Sequence, residues 1–288
     1  MTVETGPRDS PSVDVPPLKP MSIDVGGTSV RLLVRPGTFD ADIVHEVVST
    51  YQIPSLVEEL RRKPTVTIFD VGAHIGAFSA IMATLLPQAV VHAFEPAPDN
   101  FAVLQENIRH AGLEPRVRAT LAAIGGKAGF IATGDIGRSP DARNTGGHSV
   151  TGAQVYDSVP SDGRASAGMI PFGALLDQAG HVDLAKIDCE GSEFEILYSL
   201  TPEQLARIDA MVGEIHSCVG FAGTATNGME WNASALVGYL GRRFEAITVD
   251  HRIETDTAIL ETFHATNRRP AEGVMQLLRR VTGRVRRG

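Results

Sequence analysis

The feature that most constrains the fold is a strand–turn–helix pattern over residues 67–76, followed by a second apolar run over residues 91–96. The first run leads into a turn with Gly72 and Gly76 and then into a helical pattern, and the second ends on Glu95. Glycine lets a ligand approach the backbone, and the first turn of a helix offers free N–H groups. A carboxylate nineteen residues after Gly76 can accept the hydroxyls of a ribose. We therefore expect a cofactor that carries adenosine.

The spacing of the glycines distinguishes between such cofactors. A dinucleotide fold favours G-x-G-x-x-G, in which the middle glycine admits a pyrophosphate against the helix N-terminus. Here the pattern is Asp70-x-Gly72-x-x-x-Gly76, which lacks that glycine and places a carboxylate at the strand end. An acidic, wider turn suits a cofactor with positive charge and no phosphate, and S-adenosylmethionine is such a molecule. An ordinary strand–turn–helix is the alternative, but Glu95 in its position favours the cofactor.

The rest of the chain alternates strand-like and helix-like segments, which is typical of an α/β fold with a parallel sheet. We expect strands at 66–71, 89–94, 116–122, 184–188 and 211–216, and helices at 40–51, 77–86, 98–111, 193–200 and 232–240. In such folds the ligand crevice lies at the carboxyl ends of the strands. Asp70, Glu95, Asp188 and His216 each end or nearly end an apolar run, so they are predicted to share one rim.

Composition divides the chain into a head, a body and a tail. Residues 1–20 are rich in Pro, Ser and Asp and are predicted to be disordered. Residues 21–60 are predicted to form a hairpin and a covering helix, and residues 61–267 a catalytic domain. Residues 134–168, rich in Gly, Ser, Asp and Asn, form an insertion in that domain. Such a segment is either disordered or a functional cover, and as a cover it would belong to the acceptor side of the pocket.

Three motifs, at residues 70–76, 92–96 and 186–193, resemble the FkbM-type methyltransferases in their order and residues. The resemblance extends from about Arg35 to Asn267. It implies an enzyme that uses S-adenosylmethionine, in a family with members that methylate hydroxyls of macrolides and sugars. It also implies the class I methyltransferase fold, a Rossmann-like three-layer αβα sandwich. Its mostly parallel seven-stranded sheet has an antiparallel last strand.

Two residues depart from the family pattern. His74 stands where the family usually carries Asn, and Cys189 stands where a small aliphatic residue is usual. The residues expected to bind the cofactor are Asp70, Gly72, His74, Gly76, Glu95, Pro96 and Asp188.

A hydroxyl acceptor is a poor nucleophile at neutral pH, so a base that takes its proton is expected. His216 is the preferred candidate, because it follows an apolar strand on the predicted rim and an imidazole titrates near neutral pH. The resemblance supports it, since the family carries a Glu-x-His pattern there. The alternative is a structural histidine that bonds Glu214 or a backbone carbonyl. His148, in the insertion, is a less favoured base, and His74 is interpreted as a neighbour of the cofactor.

Asp188, Glu190 and Glu193 stand at i, i+2 and i+5, and with His216 they could hold a divalent cation such as Mg²⁺. This interpretation is less favoured, because Glu193 is expected to turn along a helix, and we assign no metal ligands. Asp188 is expected to contact the cofactor amino group or the acceptor hydroxyl, and so to act in catalysis with His216. Glu190 and Glu193 are expected to be N-terminal acids of the next helix. Lys186 is expected to pair with a neighbouring carboxylate.

Charge is distributed unevenly along the chain. Residues 268–288 hold seven arginines and one acidic residue, a local balance of +6 in a chain of net charge −8. This tail is interpreted as a solvated amphipathic segment, with contact to an anionic surface as the alternative. The acidic body disfavours a nucleic-acid partner.

The remaining composition bounds the location of the protein. No apolar run approaches the roughly 20 residues of a membrane span, and no secretory pattern begins the chain. Two cysteines are too few for a disulfide framework. A cytoplasmic location is therefore expected.

Taken together, these patterns predict an S-adenosylmethionine-dependent methyltransferase that O-methylates a small-molecule acceptor, a sugar or a polyketide hydroxyl. N- or C-methylation of another metabolite remains an alternative, as do an NAD-binding oxidoreductase and a non-catalytic binding module. The sequence determines neither the acceptor nor the oligomeric state.

Overall fold

The structure is a computed structural model that describes residues 17–51, 53–151, 153–161, 164–218, 228–254 and 258–267. The predicted basic tail lies outside these ranges, and so does the predicted disordered head except for residues 17–20. Among the described residues, no helix is long and apolar enough to cross a membrane.

The described chain begins with an antiparallel hairpin of β1 (Lys19–Val25) and β2 (Thr28–Val34), followed by helices α1 (Asp40–Thr50) and α2 (Ile53–Leu60). The Asn107 side chain ties this unit to the body. It accepts the N–H of Leu33 at 2.6 Å and donates to the carbonyl of Leu33 at 3.0 Å. The attachment leaves α1 beside the carboxyl edge of the main sheet, where it lines the candidate site.

The described residues form a nine-stranded sheet at the centre of the fold. Its strands are β3 (Val66–Val71), β4 (Ala89–Glu95), β5 (Val117–Gly125), β6 (Gly129–Ala132), β7 (Ser166–Pro171), β8 (Val182–Ile187), β9 (Ile208–Cys218), β10 (Ala246–Glu254) and β11 (Ala258–Thr266). Their spatial order is β10-β11-β9-β8-β3-β4-β5-β7-β6. The predicted antiparallel last strand is β11, which runs against both β9 and β10. The predicted count of seven strands was too low, because β7 and β6 extend the sheet beyond β5.

Helices cover both faces of the sheet and give three layers. One face carries α3 (Ala77–Leu85) and α4 (Pro98–His110), and the other carries α5 (Phe172–Ala179), α6 (Glu193–Tyr198), α7 (Pro202–Leu205) and α8 (Ala233–Leu240). The central strands serve both layers, since Ile68 packs into the first core and Phe69 into the second. All six residues of β8 are buried, and its two charged residues are paired, Asp183 with Lys63 and Lys186 with Asp70 and Asp188.

The connection from β6 to β7 spans residues 133–165 and corresponds to the predicted insertion. The predicted boundary at residue 168 was too late, because residues 166–168 already belong to β7. The described residues of the connection hold one 3₁₀ turn, Thr133–Asp135, and two isolated bridges, Phe130 to Tyr156 and Gly137 to Ser149. The segment is therefore an irregular cover that is fixed to the sheet edge at a few points.

Candidate active site

A cavity of about 360 Å³ opens at the carboxyl ends of β3, β4, β8 and β9. In the sheet, β4 lies on one side of β3 and β8 lies on the other side. The cavity therefore lies at the point where the order of the strands changes direction. Helix α1 and the β6–β7 connection form its remaining walls. Six of the eight predicted site residues line the cavity, namely Gly72, His74, Glu95, Pro96, Asp188 and His216.

The two glycines of the turn are required for different reasons. Gly72 has a φ of 77°, and a Cβ there would overlap the carbonyl oxygen of Asp188, so only glycine lets the turns after β3 and β8 approach so closely. Gly76 has a φ of 81°, and a Cβ there would overlap the side chain of Leu104 on α4. Gly76 thus serves helix packing and lies outside the residues that line the cavity.

Asp70 lies behind the cavity wall. Its side chain is fully buried, and its Oδ2 accepts the Ser79 hydroxyl at 2.6 Å. Lys186 stands between this carboxylate and the cavity, with Nζ 3.5 Å from Asp70 Oδ1 and 3.3 Å from Asp188 Oδ2. Lys186 also donates to the Gly72 carbonyl at 2.7 Å. The predicted ion pair of Lys186 is therefore confirmed, and Asp70 supports the turn through it.

Glu95 presents its carboxylate at the end of β4 in a fixed orientation. Its Oε2 accepts the N–H of His74 at 2.8 Å, and its Oε1 accepts the N–H of Ala97 at 2.9 Å. Burial raises the pKa of Glu95 to about 7, against the lowering effect of these hydrogen bonds. Each carboxylate oxygen keeps a further lone pair. This geometry fits the diol of a ribose.

His74 links the glycine turn to the insertion. Its backbone has a φ of 52°, and its Nε2 lies 2.9 Å from Thr145 Oγ1 and 3.3 Å from an Arg35 guanidinium nitrogen. The Thr145 hydroxyl donates to Asp40 at 2.6 Å, which connects the His74 ring to the same carboxylate that binds Arg35. Nδ1 has no hydrogen-bond partner among the described residues, and burial lowers the pKa of His74 to about 3, so the ring is neutral.

An ion pair between Arg35 and Asp40 anchors this network. Arg35 binds Asp40 through two side-chain hydrogen bonds, each 2.9 Å long, and donates to Asn100 at 2.8 Å. Asn100 in turn donates to the Thr145 carbonyl at 3.0 Å. These contacts hold the insertion residues Asn144, Gly146, His148 and Val150 against the cavity, which they line. Sequence reasoning missed the network, because its members are far apart in the chain and follow no motif.

His148 is part of the same wall. Its Nδ1 lies 2.7 Å from the Thr145 carbonyl oxygen and 3.1 Å from the Asn100 amide nitrogen. Burial lowers its pKa. Because Nδ1 is engaged with the insertion and α4, His148 is a component of the cover.

An acidic wall, made of Asp188, Glu190 and Glu214, lies opposite Glu95 and lines the cavity. Asp188 Oδ2 accepts the hydroxyl of the buried Tyr51 at 2.9 Å. Burial would raise the pKa of Asp188, but the charges of Lys186 and His216 hold it below its ordinary value. Asp188 is therefore ionised at neutral pH.

The turn after β8 is built around Glu193, whose side chain is 0% exposed. Its carboxylate accepts the N–H of Cys189 at 2.8 Å and the N–H of Gly191 at 2.9 Å. Glu193 is an acidic residue in the first turn of α6, as predicted, and its carboxylate also bonds the preceding turn. Glu190 lies in that turn, before the helix begins, so the prediction was wrong for Glu190.

His216 is held among carboxylates. Its Nδ1 lies 3.1 Å from Glu193 Oε1, and its Nε2 lies 3.5 Å from Glu190 Oε2 and 3.7 Å from Glu214 Oε2. Burial would lower the pKa of His216, but Glu193 and the other carboxylates raise it well above its ordinary value. The ring is therefore an imidazolium at neutral pH. An imidazolium has no lone pair that could take a proton. The assignment of His216 as the catalytic base therefore stays a prediction, and a neighbouring carboxylate is the alternative base.

Within the described part of the chain, two groups of side chains have a spacing that a metal ion could bridge, and both are already paired. Asp188, Glu193 and His216 form one group, in which the carboxylate of Glu193 is occupied by the two N–H groups and the imidazolium. The other group lies at the opposite end of the sheet, where Lys63 already bridges Asp183 and Asp209. We assign a cation to neither group.

The acidic wall gives the fold a pH-dependent stability. Burial raises the pKa of Glu214 to about 8, and an unfolded glutamate titrates near about 4.3. A raised folded pKa contributes stability at low pH that is lost as the pH rises through the folded value. We expect Glu214→Gln, which cannot ionise, to raise the Tm of the cofactor-free protein above wild type at pH 9 and much less at pH 5. Thermal scans at both values, with the exposed Glu195→Gln as control, check this, and an equal difference at the two pH values would contradict it.

The sheet order and the crevice at its switch point define a Rossmann-like α/β fold of the kind found in class I methyltransferases. The chain belongs to the FkbM methyltransferase family, since the methyltransferase FkbM domain matches residues 70–231, more than half of the chain. The resemblance inferred from the three motifs is thereby confirmed.

Relatives of known activity are similar over most of the chain. The hexuronic acid methyltransferase AglP of Haloferax volcanii is 29% identical over 69% of this chain and 76% of its own. The 31-O-demethyl-FK506 methyltransferase FkbM of Streptomyces tacrolimicus is 32% identical over 56% of this chain and 69% of its own. Among solved structures, the N-terminal domain of EvdMO1 with S-adenosylhomocysteine bound matches 79% of this chain and 81% of that chain, with 11% identity and a TM-score of 0.44.

Proposed function

We propose that this enzyme transfers the methyl group of S-adenosylmethionine to a hydroxyl oxygen of a small-molecule acceptor, a sugar or a polyketide alcohol. One observation carries the proposal: the fixed Glu95 carboxylate and the acidic wall line the same cavity. The first suits a ribose, and the second supplies groups that can take a hydroxyl proton. The two relatives named above act on a hexuronic acid and on 31-O-demethyl-FK506, which supports an oxygen acceptor.

The cofactor side of the cavity is proposed to work through orientation. Glu95 would accept the ribose hydroxyls, and Gly72 and Pro96 would allow close approach of the cofactor to the backbone. The neutral ring of His74 lines the cavity and would pack against the cofactor. Asp188, ionised beside Lys186, would accept from the amino group of the cofactor. The cofactor itself supplies the reactive methyl group on its sulfonium.

The acceptor side is proposed to lie between α1 and the carboxyl end of β9. Glu46 and Thr50 of α1 face the cavity here, as do Glu214 and His216 of β9. The enzyme would hold the acceptor oxygen about 3 Å from the methyl carbon, in line with the bond that breaks. Asp188 and His216 thus remain the predicted catalytic pair, with roles in orientation and charge.

N-methylation is the second candidate, and the acidic wall is the observation that favours it. The ionised Asp188 of this wall would attract a protonated amine. An amine acceptor must lose a proton before it attacks, so it could use the same groups.

A methyl-transfer screen by mass spectrometry tests the proposal. Purified enzyme is incubated with methyl-deuterated S-adenosylmethionine and matched panels of glycosides, polyketide alcohols and amines, each with Mg²⁺ and with EDTA. We expect a labelled methyl ether on at least one alcohol and none without enzyme, with the position located by fragmentation. Label on amines or carbon alone would overturn O-methylation. Calorimetry with S-adenosylmethionine, and with NAD as a control, checks the cofactor.

A further inference from the structure

Glu190 has a backbone conformation that its residue type disfavours. Its φ is 53°, and among the described residues the only other non-glycine with positive φ is His74, which also lines the cavity. A side chain other than glycine in this region costs on the order of 1–3 kcal/mol, and such residues concentrate at functional sites. Glycine or asparagine would fit the turn at lower cost. The strain therefore points to a need for the carboxylate itself.

Contacts on both flanks maintain this conformation. The Ser149 hydroxyl donates to the Glu190 carbonyl at 2.6 Å, and the Thr151 hydroxyl lies 3.4 Å from the same oxygen. On the other side, Glu193 accepts the N–H groups of Cys189 and Gly191. Two separate segments thus fix the backbone of Glu190, and its side chain lines the cavity.

The charged groups around Glu190 shift its pKa in opposite directions. His216 Nε2 lies 3.5 Å from its Oε2, and Asp188, Glu193 and Glu214 belong to the same cluster. Burial raises the pKa of Glu190 to about 7, the imidazolium of His216 and the more distant Lys186 lower it, and Asp188 and Glu193 raise it. Glu46 of α1 also faces the cavity. A carboxylate with a pKa close to neutral can take up and release a proton at the pH where the enzyme works. The Glu190 side chain is 33% exposed, so it can pass that proton to solvent.

We propose that Glu190 is the catalytic base and that His216 is a positioning residue that holds the Glu190 carboxylate at the cavity. The inference rests on the proposed O-methylation. The proton of the acceptor hydroxyl goes to a carboxylate oxygen of Glu190. The acceptor oxygen forms the bond to the methyl carbon while the carbon–sulfur bond breaks, and the electron pair of that bond stays on sulfur. Glu190 then releases its proton to solvent.

The pH dependence of kcat separates this assignment from a His216 base. In wild type we expect kcat to rise with pH through a limb near the Glu190 pKa. Glu190→Gln should lower kcat at pH 7.5 by at least about 100-fold and abolish the limb. His216→Gln removes the neighbouring positive charge, so the limb should persist but move to higher pH, with activity partly regained there. If instead His216→Gln abolishes the limb and Glu190→Gln keeps it, His216 is the base and the proposal is overturned.

Controls distinguish chemistry from folding and from the proposed function. The exposed Glu195→Gln on α6 should match wild type throughout. Thermal scans and calorimetry should give Glu190→Gln a Tm near that of wild type and an S-adenosylmethionine Kd within about threefold, since the loss is expected in kcat. A wild type that methylates alcohols while Glu190→Gln is equally active overturns this inference alone. A wild type that binds the cofactor and methylates no alcohol overturns the proposed function and the inference together.

Discussion

Replacing Glu95 with alanine is expected to weaken the binding of S-adenosylmethionine by roughly ten- to a hundredfold. The buried carboxylate is held by the N–H groups of His74 and Ala97, so it is oriented before the cofactor arrives. Hydrogen bonds to a charged group contribute about 1.5–3 kcal/mol, which corresponds to this change in Kd. Calorimetric titration of the variant and the wild type measures the difference directly.

The pH dependence of the same titration provides a second check. Burial raises the pKa of Glu95 to about 7, so its carboxylate form is lost as the pH falls through that value. We expect the affinity of wild type to fall between pH 8 and pH 6, and the affinity of Glu95→Ala to vary less. Glu106→Ala, at the exposed side of α4, serves as control. An unchanged Kd in Glu95→Ala would remove Glu95 from the cofactor site.

Replacing Lys186 with methionine is expected to destabilise the fold by about 3–5 kcal/mol. Lys186 is buried between Asp70 and Asp188, and burial alone would lower its pKa, but the two carboxylates raise it above its ordinary value. The folded protein therefore contains a cation that compensates two acidic groups. Removing it leaves buried charge without a partner, which is among the costly changes in a protein interior. Chemical denaturation measures the free energy of unfolding.

A second substitution separates lost charge compensation from lost packing. In the double variant Lys186→Met with Asp70→Asn, one of the two carboxylates is neutral, so part of the lost stability should return. Lys127→Met, at an exposed position, is the matched control and should change the free energy of unfolding little. If the single and double variants are equally destabilised, the effect comes from packing and the electrostatic explanation is wrong.

The sequence was most informative where function follows directly from strand position. Glu95, Asp188 and His216 each stand at or near the end of an apolar run, and the structure brings them to one rim. Parallel strands align their carboxyl ends, so local order alone predicts this proximity. The two strands beyond the predicted seven have weaker patterns: β6 has four residues and starts at a glycine, and β7 ends on a proline.

The partners of individual side chains were less predictable, because they depend on tertiary contacts. In the alternative to a catalytic base, His216 was expected to bond Glu214 or a backbone carbonyl, yet the nearest carboxylate is Glu193, which lies twenty-three residues away. Glu214 and His216 are two residues apart on β9 and share a face, with His216 Nε2 3.7 Å from Glu214 Oε2, but the nearest carboxylate comes from Glu193, which is built into the turn after β8. The charge state of His216 follows from that turn, so neighbouring residues along the strand could not reveal it.

The contacts of His74 limit how segments can be exchanged between relatives. Its ring touches Arg35 from the N-terminal unit and Thr145 from the insertion, and both also bind Asp40. A chimera that receives a foreign insertion without its own partners at these positions would leave a buried guanidinium or carboxylate uncompensated. A chimera meant to alter the acceptor would therefore have to exchange three stretches of chain together: the N-terminal unit, the glycine turn that holds His74, and the insertion.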